Sequence, residues 1–263
     1  MKTSHSTDPN QNVMGLMEHL RELRKRLLYS LLFVTLGACG AYWFSSETFS
    51  FLCAPYFVAF SGNPLIGTSP AEAWIIKLKV AVFAGSLVVS PLLFHQLWLF
   101  IAPGLYETER RYVVPFVALS SALFCSGALF CYYQVLPLTL AFFFNEFASI
   151  GITPTIKLAD HLSMTVTMLL GFGAVFEMPL LTFFCSRMGV LDHKTLISYF
   201  RHSVVAIFVV AAVLTPPDVL TQFLMAGPLL ILYLVSIGIA YLAAPRPKEE
   251  YPVIQQVTPK NAR

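Results

Sequence analysis

What most constrains this chain is a series of long runs without charge. Tyr112–Asn145 contains no Asp, Glu, Lys or Arg. A helix needs about 20 apolar residues to cross a hydrocarbon core about 30 Å thick, so this run suffices for a tilted or protruding span. Leu27–Phe44 is also uncharged. Val80–Pro103 is broken by Pro91 and carries His95, and Leu162–Ser186 is interrupted by one carboxylate, Glu177. His202–Leu214 is short, starting as early as Tyr199, and Leu220–Tyr241 contains Pro228. Backbone groups cannot stay unpaired in lipid, so the runs are expected to be helices; no alternating ten-residue strands suggest a barrel. The expected fold is therefore all-α and polytopic, with six transmembrane helices. Composition agrees: 12% of residues are charged, where soluble domains average about 25%.

The loops set the orientation. Segments before span one, between two and three, between four and five, and after six hold 14 of the 17 Lys and Arg residues. The opposite side has Lys157, plus Lys77 and Lys79 at the mouth of span two, where they can snorkel. The positive-inside rule then puts both termini in the cytoplasm, as an even number of spans requires. The expected organisation is a cytoplasmic amino-terminal segment (1–26), a transmembrane domain (27–244) and a flexible cytoplasmic tail (245–263). Arg21–Arg26 followed by Leu36-Gly37-Ala38-Cys39 mimics a lipoprotein signal. Cleavage there would remove span one and spoil the charge asymmetry, so Cys39 is read as a mid-helix packing residue. The five cysteines show no CxxC or zinc-like spacing and suit apolar packing.

Two loops carry shape. Ser45–Glu72 is rich in Phe and Tyr and punctuated by Pro55, Pro64 and Pro70. It reads either as interfacial helices or as a cap over the bundle. Only Thr215-Pro216-Pro217-Asp218 separates spans five and six. A helix from Tyr199 to Leu214 reaches roughly 24 Å. Either the bilayer thins there or Asp218 sits below the outer surface.

Motifs for catalysis are missing: there is no Walker A loop, GxSxG, HExxH or GxGxxG, which points away from an enzyme and from any cofactor or metal. Three carboxylates stand out instead. Glu177 inside an apolar span costs about 2.5–3.5 kcal/mol on insertion scales, so it must meet either an interhelical hydrogen-bond partner or a polar groove. Pro179 just beyond it frees backbone carbonyls, which favours a cavity-facing position. Glu22 can pair with Lys25 or Arg26 along its own helix, for about 0.2–0.5 kcal/mol. Glu109, between Thr108 and Arg110, can stabilise the start of span three. Both Glu22 and Glu109 also sit beside membrane-entry points, where a cationic ligand could be received.

At these residues a resemblance enters. His19-Leu20 and Glu22-Leu23-Arg24-Lys25-Arg26 resemble the amino-terminal signature of the TatC family, the receptor subunits of twin-arginine protein translocases. Trp98-Leu99-Phe100-Ile101-Ala102-Pro103-Gly104-Leu105-Tyr106 with Glu109-Arg110-Arg111 is similar to the family's segment between spans two and three. Phe172-Gly173 through Phe176-Glu177-Met178-Pro179 resembles its fourth-span motif, and Leu214-Thr215-Pro216-Pro217-Asp218 its last hairpin. The four stretches occur in order along nearly the whole chain. Thr108 departs from relatives with a histidine or other polar residue there.

The resemblance implies a concave six-helix bundle in the bacterial inner membrane that exports folded proteins using the proton-motive force. It implies single-span partners TatA and TatB, self-assembly into a multi-copy receptor, surrounding lipid, and no nucleic acid. It places signal-peptide binding at Glu22 and Glu109, with Arg24 and Phe100 shaping the surface and Glu177 in an intramembrane polar groove. Pro55, Asp218 and Gln222 match positions for assembly or partner docking. Guanidinium–carboxylate pairs can be bidentate, which suits selection of arginine over lysine. The competing expectations are a proton-coupled secondary transporter using Glu177, for which no similarity between halves is found, and a purely structural membrane scaffold.

Overall fold

The computed structural model describes residues 9–60, 63–101, 113–215 and 219–243. Every apolar run becomes helix within these residues, but the ends differ from the hydropathy limits. The first helix, α1 (Pro9–Tyr42), starts well before its apolar run, so the basic stretch and the first span form one rod. The chain then turns by 88° into α2 (Ser45–Ala59).

Helix α2 is a cap. It buries Leu52, Cys53, Pro55 and Tyr56 against the bundle, while Phe57 and Val58 keep its other face apolar and exposed. The Tyr56 ring stacks on Phe60 with centroids 4.8 Å apart and lies 5.0 Å from His161.

Span two is a bent pair, α3 (Glu72–Val88) and α4 (Ser90–Ile101), meeting at 61°. Pro91 lies in the first turn of α4, where a missing N–H costs no intrahelical bond. Helix α3 begins at Glu72, eight residues before the apolar run at Val80, because Glu72 provides its start. In Ser69-Pro70-Ala71-Glu72 the carboxylate reaches back as in a capping box. Its Oε2 accepts from the backbone N–H groups of Thr68 and Ser69 and from the Thr68 hydroxyl.

Span three joins α5 (Val113–Phe130), a π-helical turn (Cys131–Val135) and α6 (Leu136–Ser149). Its 36-residue helical stretch from Val114 reaches about 54 Å, beyond the roughly 40–45 Å of a whole bilayer. The span must therefore tilt steeply or protrude. The π turn carries Tyr132, whose hydroxyl donates to the Phe51 carbonyl at 2.7 Å while the two rings stack at 4.3 Å. That contact pins the cap to span three.

Span four is α7 (Leu158–Phe176) and α8 (Met178–Arg187), interrupted at Glu177. A short α9 (His193–Ser198) leads to span five, α10 (Phe200–Leu214), whose 15 residues confirm the short fifth helix. Span six is α11 (Val219–Ala243), with Pro228 inside. Three of the helices are long and apolar enough to cross a membrane unaided, and α3 with α4 qualify as a bent pair. Helix α1 passes that test only jointly with the cap, because its basic turns dilute its hydropathy, and α10 is a shorter apolar helix.

Close backbone approach holds the helices together. Lipid tails are as apolar as leucine, so helices associate through packing of small residues rather than through hydrophobic burial. A Cβ on Gly85 of α3 would lie 2.4 Å from the Ala38 nitrogen of α1, so only glycine fits that crossing. Gly127 of α5 and Gly173 of α7 likewise sit against Phe172, Phe176 and Phe124. The main core gathers Leu52, Tyr56, Phe60, Met168 and Phe172, and a smaller cluster surrounds Trp98, Leu180 and Phe184. Cys53 and Cys131 are fully buried packing residues, whereas Cys39 is exposed on α1, contrary to its expected packing role.

Candidate functional site

Where α1 meets α4, one face of each helix builds a mixed polar and aromatic surface. His19, Glu22 and Arg26 recur at three- and four-residue spacing, which aligns them on one side of α1. Arg26 bridges the helices: its Nη2 donates to Glu22 Oε1 at 3.2 Å, and its Nη1 to Gln96 Oε1 on α4 at 3.3 Å. One turn beyond Gln96, the Phe100 ring stacks on His19 at 4.4 Å. Leu23, Leu27, Leu93 and Leu97 complete a shallow groove of about 140 Å³. The expected intrahelical pairing of Glu22 with Arg26 is present, with the carboxylate side chain 32% exposed. Glu22 Oε2 has no hydrogen-bond partner among the described residues.

Glu22 and Phe100 thus share one surface. Arg24 does not join it: two residues along α1 it points about 200° around from Glu22, and it is exposed. Glu109 lies outside the described residues, as does Asp218.

Glu177 sits between α7 and α8 and is only 7% exposed. Ser120 of α5 is its side-chain hydrogen-bond partner, so the interhelical contact of the first reading is present. The Trp98 indole N–H donates to Ser120 Oγ at 3.1 Å. Indole can only donate, so the Ser120 proton is free to point at the carboxylate. Trp98, Ser120 and Glu177 form a chain from α4 through α5 to the break in span four. Glu177 Oε1 is buried without a hydrogen-bond partner among the described residues.

The remaining candidates are scattered. Pro55 is buried on the inner face of the cap helix α2, turned to its own bundle. Gln222 stays within the last hairpin, its Nε2 donating to the Phe208 carbonyl at 2.9 Å. Sequence reasoning overlooked Gln96, Ser120 and Glu72. Gln96 carried the signal that exposed Glu177, a polar side chain inside an apolar run, whereas a helical serine such as Ser120 does not stand out because it can bond its own backbone. Glu72 carried the Ser-x-x-Glu spacing of a capping box.

A six-helix membrane protein with a surface charge constellation, and no assembled catalytic set among its described residues, is defined as a class by these features. The family model for Sec-independent protein translocase protein (TatC) matches residues 18–228, and the chain belongs to that family. It is 37% identical over 238 residues to the Sec-independent protein translocase protein TatC of Koribacter versatilis, covering 89% of this chain and 87% of the relative. With the TatC of Aquifex aeolicus it shares 38% identity over 237 residues, covering 90% and 98%. A crystal structure of the twin arginine translocase receptor TatC superimposes with a TM-score of 0.79 at 38% identity, covering 86% of this chain and 99% of that one.

Proposed function

We propose that this protein is the signal-peptide receptor and core subunit of a twin-arginine translocase in the bacterial inner membrane. It works there with TatA and TatB, carries both termini in the cytoplasm and exports folded cargo on the proton-motive force. Its role is binding and assembly rather than catalysis. The observation that carries this reading is the state of Glu22. Its carboxylate is fixed on a rigid helix beside Phe100, part-exposed, and among the described residues Oε1 is held by Arg26 alone while Oε2 has no partner.

An i,i+4 pair of that kind contributes about 0.3–0.5 kcal/mol. An incoming guanidinium can therefore displace Arg26 at little cost and gain a bidentate contact. Arg26 keeps its hydrogen bond to the neutral Gln96 amide when Glu22 turns to the ligand. Glu109 receives the second arginine of the pair. The apolar stretch of the signal then runs along the bundle towards Glu177, with Arg24 flanking the entry. Pro55, Asp218 and Gln222 serve copy-to-copy and partner contacts.

Photocrosslinking from position 100 to a twin-arginine signal peptide tests the docking. Crosslinks should form with wild type and fall by more than about tenfold, the equivalent of 1.4 kcal/mol, for Glu22→Ala combined with Glu109→Ala or for a Lys-Lys peptide. Equal crosslinking in all three cases refutes it.

A further inference from the structure

Far from the α1–α4 surface, α3 and α7 diverge and leave a groove of about 520 Å³. Its walls are apolar, made by Trp74, Leu78, Val82, Phe83, Val166 and Leu170. Lys79, Ser86, Ser163 and Thr167 break that lining, and two of them meet at one level: Lys79 Nζ donates to Ser163 Oγ at 3.0 Å. Among the described residues no carboxylate lies within ion-pair distance of Lys79. An ammonium carries three donors and the serine uses one, so two N–H groups and the Ser163 hydroxyl proton remain available at the same spot.

Depth fits a headgroup. Lys79 lies seven residues into α3, about 10 Å from the helix end at Glu72. The headgroup layer accounts for roughly 5–7 Å on each side of the hydrocarbon. The Lys79 backbone thus sits just inside the boundary, and its side chain reaches the phosphate level. From Trp74 to Ser86 the α3 wall runs about 18 Å, comparable to the roughly 15 Å of one leaflet's hydrocarbon.

We propose that this groove is a binding site for one anionic phospholipid of the leaflet on the Glu72 side, its phosphate on Lys79 and Ser163 and an acyl chain along Val82, Phe83 and Leu170. A zwitterionic lipid fits the apolar wall equally well but brings a second cation to a site that already has one. A protein helix fills the wall but supplies no anion to Lys79. The proposal is independent of the docking surface at Glu22.

Native mass spectrometry tests it, on full-length protein taken from nanodiscs of equal parts phosphatidylglycerol and phosphatidylcholine into mild detergent. One phosphatidylglycerol per chain should be retained in preference. Lys79→Gln should lower that retention about fivefold, the scale of one surface cation acting on an anionic lipid. Lys77→Gln, whose side chain does not line the groove, should leave it unchanged, and Val82→Trp should displace lipid of either kind. Equal retention of both lipids, an undiminished signal in Lys79→Gln, an equal drop in Lys77→Gln, or a co-purified polypeptide in place of lipid each overturns it.

Discussion

Ser120 is a small residue with two obligations. It accepts the indole proton of Trp98 and hydrogen-bonds the carboxyl group of Glu177, at a site where neither partner can turn to water. Leaving a buried polar group unpaired costs about 1–3 kcal/mol, and more for a charged one. Ser120→Ala should therefore lower stability in detergent by about that amount, read as a fall in the thermal unfolding midpoint. In a Glu177→Gln background the same change should cost less, because a neutral amide loses less than a carboxylate. Equal losses in the two backgrounds would show that Ser120 and Glu177 are not coupled. Glu177 itself was visible in the sequence as the lone carboxylate of its span. Its partner was not, because a serine in a membrane helix can bond its own backbone, as Ser121 does to Val117.

At the scale of helices, hydropathy located spans three and six well, since their apolar runs and their helices nearly coincide. It failed wherever helix and apolar run part company. Helix α1 carries charged turns that read as a separate segment, although a helix continues wherever its backbone bonds do. The start of α3 is set by a carboxylate, and no hydropathy window detects that. The cap α2 was ambiguous because aromatic residues suit an interface and a core alike; the Tyr132–Phe51 contact across the fold decides it. Helix crossings were the least legible, because a glycine's effect depends on what faces it. Gly85→Leu should force α1 and α3 apart, since its first side-chain atom already meets the Ala38 backbone. Overpacking of this kind costs about 1–3 kcal/mol or more. A disulfide between paired cysteines placed on the two helices should form readily in the parent and poorly in that variant. Unaltered crosslinking would mean the crossing tolerates bulk.

For the whole molecule, span lengths are unequal. The third span carries 36 helical residues from Val114 and α10 only 15. The latter reaches about 22 Å, against a core of about 30 Å, so either the bilayer thins beside spans five and six or the hairpin between them sits below the outer surface. The proposed sidedness rests on charge alone. In a variant lacking the native cysteines, a cysteine at position 194 should react with an impermeant maleimide only from the cytoplasm, and one at position 157 only from outside. The reverse pattern would invert the topology. Both side chains are exposed, so burial does not confuse the readout.

Glu72 gives the fold a sense of time. One of its oxygens starts α3, and the other accepts the Ala159 N–H in the first turn of α7, 87 residues later. Beside it, Ile66 exchanges backbone hydrogen bonds with Ile156 and Leu158. A ribosome delivers the first of these segments long before the second, and contacts so far apart in the chain form slowly. Until span four has inserted, span two therefore waits with half its clasp open. Closing that clasp marks the moment when the two halves of the chain become one body.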